Sequence, residues 1–262
     1  MTMFDKVVFP PWYTCLMLFL LPATVMGDNS VLPHTSSWQF SELSTTVDSI
    51  SESNKFAHII VIDVKATDNE NCHPPKQEKS NATCKSLNDA LEMYHGVSSV
   101  MFCLVAPDEV YYLNFTYNAM NQHNIWFRGK GSWPQAKIPT VECMENVGLS
   151  FVNSSNISFS DVKFLNCGSD VQNSTNFSTK AGLYFHNCTN VTMHQIQVLN
   201  GTQASGVLMY DTDGRVEVCN STFANNSVLN SEDHSQTGGG GFAVEFTYYK
   251  PGDNDTYDRS IS

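Results

Sequence analysis

Three stretches of this chain carry the same alternation of apolar and polar positions. The first runs Gly148-Leu149-Ser150-Phe151, then Asn156-Ile157-Ser158-Phe159, then Val162-Lys163-Phe164-Leu165-Asn166. The second runs Gly182-Leu183-Tyr184-Phe185, Asn190-Val191-Thr192-Met193 and Ile196-Gln197-Val198-Leu199-Asn200. The third runs Gly206-Val207-Leu208-Met209, Arg215-Val216-Glu217-Val218 and Ser221-Thr222-Phe223-Ala224-Asn225, with one residue inserted. Six core positions in three copies make 18 sites, and all but Ser221 are apolar in a chain that is 41% hydrophobic. Short alternating runs broken by Asn, Ser, Asp and Gly predict strands separated by turns. No copy is long enough to bury its own inner face. Stacked copies bury one continuous apolar column and pair each strand with its counterparts, so the pattern predicts an all-β solenoid.

A leucine-rich repeat is disfavoured, because the core positions are mostly Phe, Ile, Val and Met and no Leu-x-x-Leu-x-Leu run occurs. Val100 to Val105 and Asn124 to Gly129 read as earlier, less regular coils, and Gly241 to Phe246 as the start of another. Ser86 to Gly96 breaks the pattern. Its Ser-x-x-Asp start, apolar residues at 87, 90, 91 and 94 and terminal Gly predict a short N-terminal helix, suited to cap the first coil. Thr247 to Ser262 is polar and turn-rich, so no comparable cap is expected at the other end. An open last coil implies a truncated chain or self-association through that coil.

The repeat starts at Gly148, Gly182, Gly206 and Gly241 lie 34, 24 and 35 residues apart. Two insertions, Ser169 to Ala181 and Ser227 to Gly240, therefore leave after the same third strand and project from one face. In repeat proteins such a face is often the binding face.

The first residues belong to a different class of segment. Lys6 precedes the apolar run Cys15 to Leu21, followed by Pro22 and small residues to Gly27, which reads as a cleaved secretory signal peptide over 1–27. The run is too short to span a bilayer. Residues 28–58 read as a weakly structured extension and 59–262 as the repeat domain, cut short at its C-terminus if the chain is truncated. A membrane is reached only through sequence not present here.

Twelve Asn-x-Ser/Thr acceptors occur: Asn81, Asn114, Asn153, Asn156, Asn173, Asn176, Asn187, Asn190, Asn200, Asn220, Asn225 and Asn254. With 24 Asn and 48 Ser plus Thr, chance supplies about four. The excess points to a glycosylated, secreted or cell-surface protein, although turn chemistry creates some acceptors by accident. After the leader, seven cysteines remain, with no CxxC pair and no zinc spacing. Cys72 with Cys84 is the expected disulfide, closing a polar loop. One thiol is left over, whether buried, paired between chains or matched outside this sequence.

A net charge of −12 without any basic run removes nucleic acid as a partner. Only 15% of residues are charged, which leaves little acid and base chemistry. Within the coils Asp161, Asp211, Asp213 and Glu217 are the carboxylates, with Lys163 and Arg215 as neighbouring bases. Asp211-Thr212-Asp213-Gly214 is too short for a calcium loop by itself and reads as an acidic turn. His186 and His194, eight apart, read as surface or turn residues, and the glycines 238–241 as a linker. Trp126, Trp133, Tyr248 and Tyr249 could stack on sugars, with packing the better account of Trp126. No motif assigns a catalytic residue, a metal ligand or a cofactor.

Cys72…Cys84-Lys85-Ser86-Leu87, Asn124-Ile125-Trp126-Phe127-Arg128-Gly129 and the Gly-Leu-x-Phe…Asn-Ile/Val…Phe/Val-Leu-Asn repeat resemble the right-handed parallel β-helix proteins of the pectin-lyase-like superfamily. The nearer resemblance is to secreted β-helix repeat proteins of sponges and other simple animals. It covers about Ile59 to Phe246 and implies an all-β, right-handed parallel β-helix with a short N-terminal capping helix. The superfamily includes lyases, hydrolases and adhesins, so the fold leaves function open. The hydrolase signatures Asn-Thr-Asp, Asp-Asp, Gly-His-Gly and Arg-Ile-Lys are absent. The expectation is an extracellular structural, adhesion or recognition module whose partner is a carbohydrate or a cell-surface protein. A polysaccharide lyase, a glycoside hydrolase or a degenerate carbohydrate-binding relative is the alternative.

Overall fold

The computed structural model describes residues 6–8, 15–20, 56–67, 71–74, 80–130, 137–144, 147–172, 178–201, 204–226, 240–249 and 256–261. The elements are β1 (Lys6–Val8), β2 (Cys15–Leu20), β3 (His58–Ile62), β4 (Ser80–Cys84), α1 (Leu87–Met93), β5 (Val100–Leu104), β6 (Val110–Leu113) and β7 (Tyr117–Met120). They continue with β8 (His123–Gly129), β9 (Thr140–Cys143), β10 (Leu149–Val152), β11 (Ser155–Ser160), β12 (Lys163–Leu165), β13 (Ser169–Gln172) and β14 (Ser178–His186). The last are β15 (Thr189–His194), β16 (Gln197–Leu199), β17 (Ser205–Tyr210), β18 (Asp213–Cys219), β19 (Thr222–Ala224), β20 (Phe242–Tyr249) and β21 (Thr256–Ile261).

The protein is mostly β. Its strands form three sheets with the orders β1-β19-β16-β12-β9-β6, β21-β20-β17-β14-β10-β7 and β2-β18-β15-β11-β8-β5-β3-β4. From β10 the chain visits the seven-, eight- and six-stranded sheets in turn, and each such circuit lays its three strands parallel on their predecessors, with β13 added as an antiparallel partner of β14. The registers are those of the sequence repeats. Leu149, Leu183, Val207 and Phe242 align in one sheet, Ile157, Val191 and Val216 in the next, and Phe164, Val198 and Phe223 in the third. All 18 repeat sites are at most 2% exposed. Ser221 satisfies its hydroxyl by donating to the Cys219 carbonyl at 2.8 Å and accepting from the Ile196 amide at 3.3 Å. A buried hydroxyl so bonded avoids the desolvation cost that would otherwise exclude it.

The column is aromatic at its centre. Phe102, Phe127 and Phe159 stack at 5.0 and 5.2 Å, and Phe151 stacks on Phe185 at 5.3 Å. Earlier strands β5 and β8 extend the eight-stranded sheet, as the sequence implied. Helix α1 forms where expected. The Ser86 hydroxyl accepts from the Asp89 amide at 3.1 Å, and Leu87, Ala90, Leu91 and Tyr94 are buried. It packs on β3, β4 and β6, at the start of the stack.

Two bridges occur among the described residues with both partners in view, Cys72–Cys84 as anticipated and Cys143–Cys167. Cys219 is disulfide-bonded as well, while Cys103 and Cys188 are free thiols. Far from the helix, all three sheets end in an antiparallel strand: β1 on β19, β2 on β18 and β21 on β20. The expectation of an open end concerned the chain without its leader, so among these strands it bears on β21 alone. Two of these strands come from the segment read as a leader, and Cys15 lies in register opposite Cys219.

Candidate recognition face

Alternation along a strand turns every second residue outward, and stacking then writes those residues into rows. On the eight-stranded sheet one row holds Met101, Trp126, Ser158, Thr192 and Glu217. The neighbouring row holds Cys103, Arg128, Ser160, His194 and Cys219. The Arg128 guanidinium lies 5.2 Å from the centre of the Trp126 ring, and the indole nitrogen donates to the Ser160 hydroxyl at 3.1 Å. Phe56 packs on the same indole at 5.6 Å, so Trp126 serves packing, as the sequence reading preferred.

Asp161 lies just beyond this row, in a left-handed turn with φ of 55°. Its Oδ1 is buried without a hydrogen-bond partner, and burial raises its pKa to about 6 against the opposing pull of Arg128. Burial lowers the pKa of His194, while Glu217 raises it. Burial also lifts the Cys103 thiol to about 11, with Arg128 opposing, so it is protonated at neutral pH and a poor nucleophile. Arg215 pairs with Glu217 on the same sheet.

The other candidate groups do not converge. Asp211 sits in a left-handed corner, while Asp213 and Gly214, the latter also at positive φ, already belong to β18, so the acidic tetrapeptide is a corner leading into a strand. Lys163 lies on a different sheet, in a cleft of about 350 Å³ with Asp108, Glu109, Lys137 and Gln197. Lys137 there pairs with Asp108 at 2.9 Å. His186 and His194 end strands of different sheets, and His186 lies 5.2 Å from Tyr210, ring to ring. Among the described residues no three His, Cys, Asp or Glu side chains gather as metal ligands.

The acceptor asparagines fall into two groups. Asn153, Asn156, Asn187, Asn190, Asn200, Asn220 and Asn225 all have φ between 49° and 60°. They are the corners of the circuits, and they bond from one circuit to the next. Asn156 donates to Asn124 at 3.0 Å, Asn190 to Asn156 at 3.1 Å, Asn187 to Asn153 at 2.8 Å and Asn225 to Asn200 at 3.3 Å. Asn81, exposed on β4, and Asn114, exposed just after β6, are not corners. Asn173, Asn176 and Asn254 lie outside the described residues, as do Trp133, residues 173–177 of the first insertion, 227–239 of the second and the side chains of Tyr248 and Tyr249.

Two features were not legible beforehand. The Trp126–Arg128–Ser160–Asp161 cluster joins residues more than thirty positions apart, and only strand register brings them together. A second apolar cluster, Ala181, Tyr184, Leu208, Tyr210 and Ala243, is buried apart from the main core. Tyr184, Leu208 and Ala243 share one outward row of the seven-stranded sheet, beside the points where the insertions leave. Unbroken apolar runs such as Val207-Leu208-Met209 were its signal, since a strand buried on both faces loses its alternation.

No family model, no curated protein and no solved structure matches this chain.

Proposed function

We propose that the chain is a right-handed parallel β-helix of the pectin-lyase-like type, secreted and glycosylated, acting outside the cell as a structural, adhesion or recognition module. The cyclic visiting of three parallel sheets supports the helix, and parallel crossovers are right-handed almost without exception. Disulfides accord with an oxidising compartment. No described helix is long and apolar enough to cross a membrane.

The observation that carries recognition is the pair of in-register rows. Their half-exposed members Arg128, Ser158, Thr192, His194 and Glu217 set one guanidinium, two hydroxyls, one imidazole and one carboxylate on adjacent rungs about 4.8 Å apart, which suits an extended partner such as a polysaccharide strand. Binding of the secreted protein to immobilised acidic and neutral polysaccharides tests this. Saturable binding weakened about tenfold by Ser158→Glu with Thr192→Glu is expected. Binding that ignores both changes removes the rows from the function.

One observation favours the alternative, a lyase, hydrolase or degenerate relative. Asp161 has a carboxyl titrating near 6 close to Arg128, the kind of tuned acid that glycosidic cleavage employs. Release of reducing ends, measured with and without calcium, decides between them. Turnover abolished by Asp161→Asn, Asp211→Ala or Asp213→Ala would establish an enzyme; no turnover is expected.

A further inference from the structure

We propose that in the secreted molecule the glycans sit on Asn81 and Asn114, at the helix-capped end, and that the seven corner asparagines are unmodified. The inference rests on the secreted, glycosylated reading above and assigns its modification sites.

The acceptor excess has a structural origin. At a corner the chain turns through a left-handed residue, and Asn adopts that conformation more readily than other side chains. At Asn153, Asn156, Asn187, Asn190 and Asn220 the next residue points inward and the one after it outward. Ser154, Ile157, Cys188, Val191 and Ser221 are accordingly buried, and Ser155, Ser158, Thr189, Thr192 and Thr222 only half so. Asn, then an inward residue, then Ser or Thr is thus what a polar corner followed by a strand spells. The glycosylation motif appears there as a by-product of circuit geometry.

The corner amides are also already used. An N-linked glycan is joined to Nδ2, the atom that Asn156, Asn187, Asn190 and Asn225 donate from. Successive rungs stand about 4.8 Å apart. A pyranose with its substituents is wider than that, so glycans on neighbouring rungs would force the circuits apart. Asn220 is only half exposed and its Oδ1 is sealed from solvent.

Asn81 and Asn114 have none of these constraints. β4 is the last strand of its sheet, and β6, which precedes Asn114, is the last of another. Both asparagines are exposed, and neither side chain makes a hydrogen bond to a described residue. A bulky glycan beside the free edge of β4 would also block edge-to-edge pairing at this end. The corners and the outward rows then stay bare along the stack.

The test is site mapping on full-length protein secreted by eukaryotic cells. Enzymatic glycan removal in heavy-oxygen water converts each occupied Asn to a mass-labelled Asp. Label on Asn81 and Asn114, none on Asn156, Asn187 and Asn190, and loss of both labels in Asn81→Gln with Asn114→Gln are expected. Label on the ladder asparagines of folded, secreted protein overturns the assignment and leaves the secreted glycoprotein reading intact. No label at any site, or no protein in the medium, overturns that reading and the assignment with it.

Discussion

Asn190 donates from Nδ2 to the Oδ1 of Asn156 at 3.1 Å, across one full circuit of the chain. Asn156 donates onward to Asn124 at 3.0 Å, and the Arg215 amide closes the series on the Asn190 oxygen at 3.1 Å. The side chains thus continue the backbone ladder around a corner.

Asn156→Ala removes two of these bonds and places a Cβ residue without compensation in a left-handed turn. A loss of about 2 kcal/mol is expected, roughly half from each source. Asn156→Gly keeps the turn and should cost less than Ala. Urea denaturation of the three proteins checks the order, and Ala outperforming Gly would mean that the turn contributes nothing.

Asp161 makes stability depend on pH. Its folded pKa of about 6 stands above the reference 3.8, because burial disfavours the charge. Ionisation therefore costs stability: the cost is absent below about pH 4, grows as pH rises through 6 and is complete above it. Asp161→Asn tolerates the same left-handed turn. It should stabilise the protein by about 2 kcal/mol at pH 8, allowing for partial solvent screening, and change little at pH 4. Equal effects at both values would show that the carboxyl is not perturbed.

Gly129 permits a close approach. A Cβ there would fall 1.9 Å from the Asp161 carbonyl oxygen and 2.6 Å from the Pro139 ring. Gly129→Ala should cost about 3 kcal/mol or prevent folding. Gly96 is the contrast, with φ of 80° and open space around its Cβ position. Gly96→Ala should cost about 1 kcal/mol. Thermal melts of both variants test the ranking.

Cys143 and Cys167 are 24 residues apart, one at the end of β9 and the other two residues after β12, so the bridge ties the third strands of successive circuits together. Replacing both by Ala should lower stability by about 3 kcal/mol through the longer unfolded chain. Reductant also opens the other bridges, so melting with and without it should destabilise both proteins, the parent by about 3 kcal/mol more than the variant.

The repeat positions and the helix were legible in the sequence because each obeys a local rule. Inward apolar residues recur with period two, and Ser86 and Asp89 spell an N-terminus within one turn. The Cys72–Cys84 loop was legible for the same reason, being short. The acceptor count was visible too, but its meaning was not. Asn153 and Asn187, or Asn156 and Asn190, look like independent surface motifs until the register makes them rungs.

The sequence by itself determined a stack of short strands with an apolar interior, since side-chain alternation and turn residues are local properties. Tertiary structure alone decided which outward residues stand together. Trp126 meets Ser160, and Arg128 acts on Asp161, through hydrogen-bonded register between strands, and no local pattern encodes that distance. It also decided that Leu208 and Tyr210 are buried on the outer face, and that β21 pairs antiparallel with β20 through the backbone, which polar residues do as readily as apolar ones.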